Sequence, residues 1–347
     1  MLKKPISINL ALQGGGSHGA FTWGVVKRLV KENNFDIEGI SGTSSGAVNA
    51  SMLAYGLTKY KEEPDFVLDE FWTELGHLFS SIFTSSDNFF KFPLFGEASN
   101  PYMLEMFLNM SQSFSPYIFN PNDMNPFRDL LNNHIDFDEL RETNHTKLFI
   151  AATNIKTSKL KIFKRNELTS DHILASACLP SLHHPITIDG QTYWDGGFSG
   201  NPPLYPLIFN CNSSDLIIVL LQPLSKEAIP ETAKEIRERM HDIAFHSTFM
   251  REMRAISFSK QFIDKKSVIK GALEKRLDKL RIHIIHADED LKDLDHKSKY
   301  NASPDLLNHL RDAGYECADK WLKANCNFIG KKSSIDLNVF SDYPIEE

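Results

Sequence analysis

Gly42-Thr43-Ser44-Ser45-Gly46 follows a short β-rich run, Asp36 to Ser41, and precedes a stretch from Ala47 to Tyr60 in which Val48, Met52 and Tyr55 recur at helical spacing. A GxSxG at the join of a strand and a helix is the context of a nucleophile elbow. Such a turn holds its serine in a strained conformation and leaves no room for side chains beside it, hence Gly42 and Gly46. Ser44 then stands at a helix N-terminus, where the dipole favours developing negative charge. The same five residues also suit an ordinary small-residue turn, so the motif needs support from the rest of the chain.

Upstream, the same pattern occurs once before. Ile6 to Leu12 alternates as a strand does, Gln13-Gly14-Gly15-Gly16-Ser17 forms a glycine loop, and His18 to Lys31 carries Phe21, Val25, Leu29 and Val30 at helical spacing. Gly14-Gly15-Gly16-Ser17-His18-Gly19 fits the GxGxxG dinucleotide fingerprint, and Glu38 lies near the distance at which a ribose-binding acid is sought. The second strand, however, ends in the serine turn and not in an acid. Beside such a turn a glycine loop has another use, because its backbone N–H groups can point at the oxygen of a tetrahedral intermediate.

Farther along, Pro64 suits the first turn of a helix through Phe66, Leu68, Phe71, Trp72 and Leu75. From Gly76 to Pro126 the periodicity breaks down and the stretch reads as an insertion. Lys147 to Ile155 and Lys159 to Lys164 read as paired strands, and Leu168 to Leu179 as a helix ending before Pro180. Ile186 to Asp195 reads as a hairpin turning at Asp189-Gly190 and delivering Asp195-Gly196-Gly197 at its end. Asp215 to Gln222 is a continuous apolar run, as in a buried parallel strand. Beyond Pro230 the composition shifts to charged helix, followed by a strand, Arg281 to Ala287, and a helix from Pro304 to Lys323. The expected sheet is mixed and mostly parallel.

The order of the parts narrows the family. In histidine-dependent α/β-hydrolases the elbow follows several strands and a histidine comes late, whereas here one strand precedes the elbow. The glycine loop, the GxSxG and Asp195-Gly196-Gly197, with Ala175-Ser176-Ala177 through Pro180 and Asn201-Pro202-Pro203, resemble the patatin-like phospholipase family from about Ile8 to Leu207. The resemblance implies a three-layer α/β/α fold and a Ser44/Asp195 dyad that uses no histidine. It also implies an oxyanion loop of Gly14, Gly15, Gly16, Ser17, His18 and Gly19, and fatty-acyl esters of phospholipids or lysophospholipids as substrates. The family often has Lys or Arg where His18 stands, so a neutral imidazole there would weaken any charge assistance.

A carboxylate at its reference pKa of ~3.9 is a weak base for a serine hydroxyl. Asp195 therefore needs surroundings that raise its basicity, and Tyr193, Trp194 and Phe198 are suitably apolar neighbours. Within the 76–126 insertion, Phe89, Phe90, Phe92 and Phe95 have no helical period and are expected to form a lid that lines the acyl-chain pocket and touches the lipid surface. The expected organisation is a catalytic domain over 8–208, with 209–347 continuing the sheet and adding a helix-rich extension. Two alternatives remain. One is a conventional triad using His241, His246 or His283, although the first two lie on the charged helix and are expected to be solvated or capping. The other is a lipid- or nucleotide-binding module without turnover.

Bulk composition excludes some classes. The net charge of -7 and the absence of a dense Lys/Arg run argue against a nucleic-acid partner. The longest aliphatic run, Leu216 to Leu221, is far below the ~20 residues of a membrane span, so membrane contact is expected to be peripheral. Cys178, Cys211, Cys317 and Cys326 form no CxxC pair and suit a reducing, cytoplasmic setting. His183-His184 lacks the HExxH or carboxylate spacing of a metal site, and no metal or cofactor is expected.

Overall fold

The structure is a computed structural model that describes residues 5–32, 34–83, 103–142, 145–226, 228–266 and 270–341. The Phe89, Phe90, Phe92 and Phe95 cluster lies outside the described residues. Eight strands form one sheet: β1 (Ile6–Leu12), β2 (Phe35–Gly42), β3 (Lys147–Asn154), β4 (Leu160–Lys164), β5 (Ile186–Ile188), β6 (Gln191–Asp195), β7 (Asp215–Leu220) and β8 (Arg281–His286). They connect in the order β5-β6-β3-β2-β1-β7-β8, with β4 added to β3. The central pairings, β1 with β2 and β7, β2 with β3, and β7 with β8, are parallel, and β4, β5 and β6 join antiparallel.

Every residue of β7 is buried, which requires cover on both faces of the sheet. On one face, Leu10, Leu12 and Ile40 pack with α1 (Gly19–Val30), α2 (Ser45–Lys59), α3 (Phe66–Phe83) and the helix Pro304–Asn325 through Phe21, Leu53, Phe71 and Leu310. On the other face, Ala11, Leu216 and Ile218 pack with the helices Tyr205–Asn210 and Ala233–Lys266 through Leu207, Phe249 and Met253. The result is three layers, helices on both faces of a mostly parallel sheet, with a C-terminal helical region.

The turn at Asp189-Gly190 has both residues in the left-handed region, φ 49° and 71°, as a two-residue type I′ hairpin demands. The described part of the 76–126 stretch departs from expectation, because it is helical. α3 runs on past Gly76 to Phe83, and helices follow at Met103–Ser113 and Pro116–Phe119. Leu104, Phe107, Leu108 and Ser111 do recur at helical spacing, but the Phe- and Pro-rich run before them masks the period.

Candidate active site

β1 and β2 are parallel neighbours in which Leu12 pairs with Gly42, so the loops leaving them emerge side by side at the same end of the sheet. The β2 loop is a sharp turn. Ser44 has φ 55° and ψ −125°, a positive φ that a non-glycine residue adopts only when its surroundings enforce it. Its N–H donates to Ser176 Oγ at 3.0 Å. A Cβ on Gly46 would lie 2.1 Å from Leu12 O, and one on Gly42 2.3 Å from Gly46 O, so the close approach of α2 to β1 and β2 excludes any larger residue. Ser44 is half-buried, at the N-terminus of α2.

Strand register brings Asp195 to the same place. β2 pairs with β3 up to Gly42 opposite Ile150, and β6 pairs with β3 from Asp195 opposite Ala152. Residues 149–153 give their other edge to β4, so β6 takes the edge that β2 vacates and Asp195 stands just beyond Gly42. Asp195 is fully buried: its N–H donates to Cys178 O at 2.8 Å, its carbonyl accepts from Thr153 Oγ1 at 2.8 Å, and Oδ1 accepts from Gly197 N at 2.7 Å. Oδ2 has no partner within hydrogen-bonding limits. Burial raises the carboxyl to about 7, against the pull of the Gly197 N–H and of the nearby Ser44 hydroxyl, which both favour the ionised form. Phe245, from the helix Ala233–Lys266, stacks edge-on against Phe198 at 4.7 Å and so covers the aspartate turn.

The glycine loop is braced from the side. Gly14 N donates to Asn201 Oδ1 at 2.8 Å, and Gln13 Nε2 to Asn201 O at 3.3 Å. Gln13 Oε1 in turn accepts from the Leu221 and Gln222 amides at 2.7 and 2.9 Å. Gly15 N donates to Ser45 Oγ at 3.0 Å, His18 N to Gly15 O at 3.3 Å, and Gly19 N to the Gly16 and Ser17 carbonyls. Of the six loop residues, the Gly16 and Ser17 amides are the two that these contacts leave uncommitted. Gly16 has φ 61° and lies beneath Lys299, whose carbonyl oxygen would be 2.2 Å from a Cβ there. The His18 ring is buried, pairs with Ser298 Oγ at 2.7 Å and is depressed to about 3 by burial and the charge of Lys299, so it is neutral.

Ser44, Gly16 and Ser17 open into a cavity of about 270 Å³ whose wall is mostly apolar, including Val48, Phe71, Trp72, Leu75, Phe127 and Leu179. Cys178, His183, Lys299 and Tyr300 also line it. None of the histidines weighed for a triad bonds the Asp195 carboxylate. His283 bonds Asp215 Oδ1 at 3.1 Å, and Asp215 begins β7 at the end of the sheet opposite the serine turn. His241 and His246 are not solvated: burial lowers both, and His241 stacks on Phe245 at 4.2 Å. Glu38 is taken up by the Asn212 and Ser213 amides and by Lys147, before β7, where it cannot serve a ligand on the glycine loop.

His241, Asp242 and His296 bring one ligand atom each within 4.8 Å of one another. Asp242 is already bonded by Lys226 at 2.6 Å and Lys299 at 2.7 Å, and two ammonium groups on the one carboxylate disfavour a dication there. The sequence showed Gln13 and Asn201 in or beside motifs but not their bracing role, and offered no sign of Lys299 and Tyr300, which reach the loop through the tertiary fold. Gly196 and Gly197 stand in a 3-10 turn capped by Asp195, as a turn aspartate would place them.

Residues 10–208 match the family described as patatin-like phospholipase. No curated protein matches the chain. Among solved structures, VipD from Legionella pneumophila is 15% identical over 92% of this chain and 67% of its own, with a TM-score of 0.44. The ExoU-SpcU complex from the type III secretion system of Pseudomonas aeruginosa matches at 15% identity over 92% of this chain and 52% of that one, with a TM-score of 0.34. The chain thus spans about two thirds of the former and half of the latter.

Proposed function

The chain belongs to the patatin-like phospholipase family, and from that premise we propose that it hydrolyses fatty-acyl esters of phospholipids or lysophospholipids, with Ser44 as nucleophile and Asp195 as its base. The observation that carries this reading is the free, buried Oδ2 of a carboxyl raised to about 7, beside a serine held at a strained turn. An aspartate of ordinary basicity would take the serine proton poorly; one near 7 is matched to neutral pH.

In this mechanism Ser44 Oγ attacks the ester carbonyl carbon and its proton passes to Asp195. The carbonyl oxygen gains negative charge and meets the Gly16 and Ser17 amides and the N-terminus of α2. Collapse expels the alcohol, which takes the proton from Asp195. Water then attacks the acyl-enzyme, with Asp195 again accepting the proton; the bond to Ser44 Oγ breaks, Asp195 returns that proton to Oγ, and the fatty acid leaves. The apolar wall of Val48, Phe71, Trp72 and Leu179 suits the acyl chain. Among the described residues no helix is long and apolar enough to cross a membrane.

The test is labelling with a fluorophosphonate, followed by mass spectrometry of the labelled peptide and of lipids released from mixed vesicles. Label on Ser44 and fatty-acid release are expected from the wild type, and a loss of several orders of magnitude from Ser44→Ala. A folded Ser44→Ala protein that still hydrolyses lipid would overturn the assignment.

A further inference from the structure

Among the described residues lining the cavity, Lys299 is the one ammonium or guanidinium group. It belongs to the 3-10 turn His296–Tyr300, whose backbone rests on Gly16. The Lys299 Nζ spends one of its three donors on Asp242 Oδ1 at 2.7 Å. The other carboxylate oxygen accepts from Lys226 at 2.6 Å. Two ammonium groups thus share one carboxylate. The remaining titratable groups around them do not cancel the surplus. His241, His296 and His18 are kept neutral by burial, His296 at about 4, and Glu238 is paired with Lys234 at 3.8 Å.

Lys226 is solvated, but burial holds the Lys299 ammonium below its usual value, and a half-buried ammonium of this kind gains by meeting an anion. Lys299 lines the cavity where the apolar wall meets the glycine loop, and the charge of its ammonium already lowers His18. Lys226 has a part in the arrangement too, because by saturating Asp242 it keeps the charge of Lys299 from being neutralised.

We propose that Lys299, with Lys226 behind it on Asp242, forms a phosphate subsite that reads the lipid headgroup. The inference rests on the hydrolase reading above. With the ester carbonyl over Ser44 and the acyl chain along the apolar wall, the phosphate of the same molecule docks on Nζ through a charge-assisted hydrogen bond.

The experiment compares two water-soluble esters with the same acyl chain, 1-hexanoylglycerol 3-phosphate and 1-hexanoylglycerol. In Lys299→Met the ratio of kcat/KM for the phosphate ester over the neutral one falls about tenfold or more, chiefly through KM, which is the size of effect expected of one charge-assisted hydrogen bond. Lys299→Arg restores most of the ratio, and Lys226→Met lowers it by a smaller factor. Equal losses on both esters would overturn the subsite and make Lys299 a positioning residue for the turn or the oxyanion loop. A second arm needs no variant: hexyl phosphate should inhibit hydrolysis of the neutral ester competitively, and more strongly than either hexanol or inorganic phosphate at matched ionic strength. Inhibition by inorganic phosphate as strong as by hexyl phosphate would overturn the headgroup assignment, since the anion would then bind without the chain. Hydrolysis of neither ester by the wild type would count against Ser44 and Asp195 as the dyad, an outcome separate from any change in ratio.

Discussion

Asp195 is buried and raised to about 7, and both activity and stability should show it. As the proposed base, Asp195 acts only when ionised, so kcat/KM for a soluble ester is expected to rise with pH and level off above about 7, and a profile flat from pH 5 to 8 would sink the dyad. Stability follows the opposite sign. The folded value lies above the unfolded one of 3.8, so the folded state holds the extra proton between the two and loses that advantage as pH rises towards 7. Asp195→Asn, which cannot ionise, should abolish turnover yet melt on the order of a few degrees above the wild type at pH 8, with the gap closing near pH 4. Differential scanning calorimetry at the two pH values checks this. The motifs around Ser44 and Asp195 could be read from the sequence because their neighbours are constrained by local backbone geometry. The energetics could not, since desolvation depends on Phe245 and other residues far away in the chain.

At the scale of elements, the glycine loop owes its shape to a residue almost two hundred positions away. Asn201 Oδ1 holds the Gly14 amide, so Asn201→Ala should free the loop and lower kcat roughly tenfold, with a smaller change in KM, because oxyanion donors act mainly on the transition state. An equal effect on KM and none on kcat would remove the loop from the chemistry. The segment after the 103–113 helix presents Tyr117 and Ile118, 59% and 66% exposed. Tyr117 also stacks on His184, the neighbour of His183, at 4.0 Å. Replacing Tyr117 and Ile118 by serine should depress hydrolysis of long-chain lipid in vesicles severalfold while sparing a short soluble ester; matched losses would show ordinary packing residues. Strands and helices were legible where apolar spacing was clean, as in β1, β2, β7 and the Asp189-Gly190 hairpin. In 103–113 the spacing was present but hidden by its aromatic surroundings.

For the molecule as a whole, the family-matched region does not complete the sheet. β7 runs between β1 and β8 and contributes core on both faces, and the helix Pro304–Asn325 closes over α1, where Arg28 bonds Asp319 at 2.8 Å. A fragment ending at residue 208 should therefore be unfolded or aggregated, and a cooperative thermal transition in it would show otherwise. Asp215 ties the two outer strands together, accepting from Arg281 at 2.8 and 2.7 Å, from His283, and from the Gly330 amide at 2.8 Å. These partners hold its carboxyl well below the usual range, so its contribution is present above the unfolded value and lost as pH falls below it. Asp215→Asn should cost about 2 kcal/mol at pH 7, read from urea unfolding, and progressively less as the pH falls from 3.8 towards the low folded value. Long-range pairings of this kind leave no local trace in a sequence, which is why this network was not legible there.

The turn His296–Tyr300 resting on Gly16 joins residues 283 positions apart, as the numbering of Gly16 and Lys299 shows. During synthesis, at roughly 5–20 residues per second, the serine and the aspartate both exist once residue 195 has left the ribosome, but the loop that serves them stays uncovered for another hundred residues. A nascent or C-terminally clipped chain then carries both dyad residues with an open loop. Ribosome-stalled chains ending before residue 296 should resist fluorophosphonate, whereas released full-length protein should react, so that the far end of the chain times the onset of activity.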